Sequence, residues 1–142
     1  MPLALPALRL ALAARLETVE PPSGQQRAQI FPRLKSQITP PTLMVAYPEE
    51  INYHHASMGE SRWVMIIFGI GAAGIYDEAA QEMIDAWLAD EGTSSVTVAL
   101  EGDPSLGGIA EDVTVISSTG YQAYSAGGQE YLGTEWRVEI LG

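Results

Sequence analysis

Residues 63–70 read WVMIIFGI, apolar throughout except for Gly69 and rich in valine and isoleucine. A short apolar run without polar alternation describes a strand covered on both faces, which belongs at the centre of a sheet. The 142 residues are enough for one domain with a sizeable core. With no cysteine in the chain, a disulfide scaffold, a thiolate zinc site and a cysteine nucleophile are excluded, so the packing must come from ordinary hydrophobic burial.

Prolines divide the chain. Eight of the nine fall within the first 48 residues, only Pro104 lying outside. Before them, Leu5, Leu8, Leu12, Leu16 and Val19 recur at three- and four-residue spacing, and Pro6 is tolerated in a first turn, so residues 1–19 read as an amphipathic helix. Pro21-Pro22, Pro32, Pro40-Pro41 and Pro48 cut residues 20–50 into pieces too short for helices. Short strands fit 27–31 and 43–47, the second stopped by Pro48. The first helix and the extended 20–42 segment are expected to make contacts outside the subunit's own core.

After the central strand, Ala80, Met83, Ile84, Trp87 and Leu88 share a helical face, with Asp77 as cap and Gly92 past the end, giving a helix of about 14 residues. Residues 94–101 fit a strand or a short helix capped by Ser94, and the helix is preferred. Residues 112–117, 121–125 and 131–141 alternate as strands, with Gly127-Gly128 marking a turn. The expected fold class is α+β: a mainly antiparallel mixed sheet of about four to six strands with two main helices packed on it, in a single domain over 1–142. Within it, 43–142 holds the sheet and second helix.

Eighteen acidic against seven basic residues give a net charge of −11. Such a surface repels phosphate and argues against tight nucleic-acid binding. Residues 1–62 hold six of the seven cations and five acids, whereas 63–142 hold thirteen acids and only Arg137. Arg9 and Arg15 interrupt the N-terminal apolar run and no cation precedes it, so no signal peptide is expected; the chain reads as cytosolic or part of an assembled particle, without a membrane partner.

Gly69, Gly71 and Gly74 spell GxGxxG after a strand and before a helix, the look of a dinucleotide-binding turn. However, the helix begins only after Asp77, and Asp77 and Glu78 put negative charge where a phosphate would sit. No second βαβ half follows. A nucleotide-binding enzyme using these glycines is therefore the rival from a different class, and no cofactor is expected. His54 and His55 are adjacent and point apart in extended chain, with no third metal ligand in view. No catalytic or metal residues are assigned, and no enzymatic activity is expected.

Glu78, Glu82 and Asp85 form an acidic stripe on the second helix, which has no lysine or arginine to offset it. Like charges at this spacing cost roughly 0.2–0.5 kcal/mol per pair. The stripe is the candidate channel or subunit-contact face, and Arg9, Arg15, Arg33 and Lys35 are the candidate basic partners on a neighbouring copy, the heterologous contact that closes into rings.

The order of several features resembles a known family. Pro40-Pro41, Tyr53-His54, Arg62-Trp63 opening an apolar strand, Asp77, Ala79-Ala80-Gln81 and Asp85-x-Trp87-Leu88 come first. Ser95-Val96, Ala99-Leu100-Glu101, Asp103-Pro104, Leu106-Gly107-Gly108, Gly120-Tyr121, Tyr124 and Tyr131-Leu132-Gly133 follow. Over roughly 40–141 this pattern is similar to tail terminator proteins of long-tailed actinobacterial phages. The resemblance implies a tail-terminator-like fold and a hexameric ring on the head-proximal end of the tail tube. There it would end tube polymerisation and join tube to head connector, with DNA passing through the channel unbound. It also implies a virion protein assembled in the host cytoplasm, with no catalytic residues. A connector or tail tube subunit is the rival within the same class.

Overall fold

The computed structural model describes residues 3–35, 37–54, 60–73, 77–126 and 128–142. Among these residues three helices pack on one face of a six-stranded mixed sheet, an α+β architecture as the sequence predicts. Helix α1 spans Leu5–Leu16, strand β1 Gln29–Phe31, β2 Thr42–Asn52 and β3 Arg62–Ala73. Helices α2 (Glu78–Leu88) and α3 (Val96–Glu101) follow, then β4 (Asp112–Ser118), β5 (Gln122–Ala126) and β6 (Gln129–Leu141). The sheet order is β1-β2-β3-β6-β4, with β5 also pairing β6. Among the described strands only β1 and β2 run parallel; every other pair is antiparallel.

The apolar run is the centre of this sheet. Trp63, Met65 and Ile67 sit across from Ile140, Val138 and Trp136 of β6. All face the helices, where Leu8, Leu12, Leu16, Met83, Ile84, Trp87, Val96 and Leu100 complete the core. Helix α1 is thus a core element, contrary to the expectation that it reaches outward: Leu8, Leu12 and Leu16 are each fully buried. Its Leu and Ala content leaves apolar side chains on most of its circumference, and the stripe seen in the sequence is the buried one.

The N-caps of α2 and α3 act through side-chain acceptors. Asp77 Oδ1 accepts from the N–H of Ala80 at 2.8 Å, and Ser95 Oγ from that of Val98 at 3.1 Å, which satisfies otherwise orphaned donors at each N-terminus. The short helix caps one residue later than predicted, on Ser95, and α2 has 11 residues, fewer than expected. Strand β2 does not stop at Pro48. Its pairing with β1 ends at Met44, so beyond that point one edge of β2 has no partner among the described residues, and register shifts on either side of Pro48 accommodate the missing N–H.

The second face of β3 carries Val64, Ile66 and Ile70, each at most 4 % exposed although the three helices all lie on the opposite side. Their cover comes from the sheet's own long side chains. Glu139, Arg137 and Glu135 of β6 stand across from Val64, Ile66 and Phe68. Arg62 pairs with Glu50 and, at 2.6 Å, with Glu139; Arg137 pairs with Glu49 at 2.7 Å. The Phe68 ring lies 6.1 Å from that of Tyr47 and 5.6 Å from that of Tyr124. An exposed ion pair such as Arg137–Glu49 adds little energy, but the aliphatic stems of these side chains shield apolar surface.

Candidate functional site

The acidic stripe lies on the outer face of α2, where Glu78, Glu82 and Asp85 are all exposed while Ala80, Met83, Ile84 and Trp87 turn inward. Glu82 accepts a hydrogen bond from Gln25 Nε2 at 3.3 Å, and Asp85 accepts one from the Tyr121 hydroxyl. That bond, with help from burial and the carboxylate charge, pushes the Tyr121 phenol up to about 12. Among the described residues no lysine or arginine forms an ion pair with the stripe. It therefore stands as an unneutralised negative surface bordered by a half-exposed tyrosine.

The four candidate cations separate into two kinds. Arg9 donates through Nη1 to the carbonyls of Pro32 at 3.1 Å and Val45 at 3.0 Å; burial, then the nearby Arg33 charge, lowers its pKa. Arg15 donates through Nε to Ala99 O at 2.8 Å, tying α1 to α3. Both guanidiniums are engaged within their own subunit, which removes them from the set available to a neighbour. Arg33 and Lys35 remain exposed, with the Lys35 ammonium 5.6 Å from the Phe31 ring. No sequence signal separates the two kinds, because the acceptors are backbone carbonyls.

Gly69 and Gly71 of the GxGxxG string lie in a packed strand. A Cβ on Gly69 would stand 2.9 Å from both Trp87 Cζ3 and Trp136 Cζ3; one on Gly71 would stand 3.1 Å from Ala80 O and from Ile84 Cδ1. These glycines let α2 and two indoles approach the sheet; the cleft of about 300 Å³ that opens beside Gly71 has the Asp77 carboxylate in its wall, where a phosphate would be repelled. Gly74 lies outside the described residues. So does His55; its neighbour His54 is exposed. Among the described residues no cluster of three metal-ligating side chains occurs, and no helix is long and apolar enough to cross a membrane.

The loop between α3 and β4 is organised by Asp103, which accepts from Ser105 Oγ at 2.8 Å and from the N–H of Gly107 at 2.8 Å. These bonds, the Ser105 hydroxyl foremost, hold its carboxyl below the usual range. They fix a turn in which Leu106, at φ 48°, buries its side chain. The feature that sequence reading missed is the charged cover on the second sheet face. Its signal is the alternation of Glu135, Arg137 and Glu139 with Trp136, Val138 and Ile140.

Comparison with protein-family models and with curated proteins finds no match.

Proposed function

We propose that the chain is a structural assembly subunit, a bacteriophage tail terminator. Copies close into a hexameric ring on the head-proximal end of the tail tube, end its polymerisation and present the joining surface for the head connector. The observation that carries this reading is the order and spacing of the features from Pro40-Pro41 to Tyr131-Leu132-Gly133, which is distributed over the sheet, both later helices and the Asp103 turn. Two physical observations support it. A net charge of −11 with an unneutralised acidic helix face would let DNA pass a ring's channel without adhering. Filling of the Gly69 and Gly71 positions by α2 and the indoles weighs against the nucleotide-enzyme rival.

The partners are then further copies of the chain, the tail tube protein and the head connector, in the virion and in the host cytoplasm during assembly. Deletion of the coding sequence tests the role: overlong or unjoined tails are expected. Absent tubes would identify a tube protein, and heads that leak DNA a connector. Calorimetry with dinucleotides and nucleoside triphosphates should register no heat; saturable binding would overturn the proposal.

A further inference from the structure

The open sheet ends in two unlike edges, β1 on one side and β4 on the other. Their surroundings carry opposite charge. Residues 21–48 contain Arg27, Arg33 and Lys35 and no carboxylate, whereas 63–136 contain no cation. Directly after β1, Arg33 and Lys35 flank Leu34, which is 48 % exposed. At the other end, exposed Glu111 and Asp112 open β4, and Ile116 is 42 % exposed at the register shift between Val115 and Ser117. Such bulges re-aim a side chain out of an edge. Each edge thus offers an exposed apolar side chain on a strand or knuckle that itself carries charges of one sign; Arg137, across from Ser117 on β6, is already paired with Glu49.

We infer that copies of this chain join head to tail through these two ends: the Arg33-Leu34-Lys35 knuckle of one copy seats on the Ile116 edge of the next, beside Glu111 and Asp112. The purpose of the contact rests on the ring reading; the contact itself rests on the complementarity of the edges. Because its two surfaces lie at opposite ends of one sheet, the contact is heterologous and propagates until it closes. It joins side chains and leaves the edge strands unpaired with each other, since Glu101 Oε2 already accepts the N–H of Val115 at 2.9 Å and blocks strand addition there. The α2 stripe is the poorer seat. Glu82 and Asp85 already accept hydrogen bonds from Gln25 and Tyr121, and the apolar side chains of α2 point inward.

The absence of native cysteine makes engineered thiols unique reporters. A mixture of full-length Leu34→Cys and Ile116→Cys proteins treated with a bismaleimide should give a mixed dimer, and the double variant a ladder of higher multimers. Arg33→Glu with Lys35→Glu in the first partner should cut the yield by about tenfold, and Glu111→Lys with Asp112→Lys in the second should restore it. All six positions are exposed, so the fold is expected to survive, and circular dichroism of each variant checks it. The inference is overturned by a mixed dimer no more abundant than self-coupled singles, by a yield indifferent to charge reversal, or by preferential coupling of Leu34→Cys to Glu82→Cys. A ladder from a protein absent from tails would keep the contact and sink the terminator reading. A terminator ring in particles whose double variant gives no ladder would do the opposite.

Discussion

Gly69→Ala separates a packing glycine from a ligand-binding one. The added methyl would sit 2.9 Å from ring carbons of both Trp87 and Trp136. Those indoles are edge to face at 6.2 Å between centroids, and at most 1 % exposed, so neither can swing into solvent to make room. Overpacking of this kind costs about 1–3 kcal/mol. Alanine returns about 0.4–1 kcal/mol by restricting the unfolded chain. The net loss is then about 1–2 kcal/mol, or about 3–6 °C in Tm for a domain of this size. Urea unfolding followed by tryptophan fluorescence measures it directly, since the two displaced rings are two of the chain's three tryptophans. Gly133→Ala, whose Cβ would meet Gly69 O at 2.5 Å, should lose more, because backbone yields less readily than a ring. A Gly69→Ala protein as stable as the parent would refute the packing argument and reopen the glycine bend as a site.

Asp77→Ala and Ser95→Ala should each cost about 1 kcal/mol in chemical unfolding through loss of a helix cap, with Ser95→Ala the larger because its hydroxyl also donates to Ala89 O. Arg9→Met keeps the aliphatic stem but leaves the Pro32 and Val45 carbonyls without their donor, and should cost about 2 kcal/mol by the same assay. Burial, then the bond to Glu135, raises the Tyr124 pKa. Its stabilising contribution is therefore complete below the ordinary tyrosine value of about 10 and is lost as pH rises through the higher folded value. Urea midpoints measured across that window should fall less steeply for Tyr124→Phe than for the parent.

Where local chemistry decides the structure, it could be read from the residues. Helix α2 combines an apolar face with Asp77 at its cap, and β3 beyond its opening Arg62 has no polar residue that would let it sit at an edge. Where the deciding partner is distant, the sequence was silent. Pro48 reads as a strand end until β1 is known to stop short of it. Gly69 and Gly71 read as a phosphate turn until Trp87, Trp136 and Ala80 are brought against them. Arg9 and Arg15 look free because carbonyl acceptors carry no residue identity. The acidic stripe was legible as an exposed face because every carboxylate in it lies opposite the buried Met83, Ile84 and Trp87.

The neck of the assembled particle offers the most direct test of the whole account. Images of tails carrying a tagged copy of the chain should place six copies in one closed ring between tube and head, with the channel open to DNA. Particles that never contain the chain, together with a purified protein that stays single at every concentration, would contradict it.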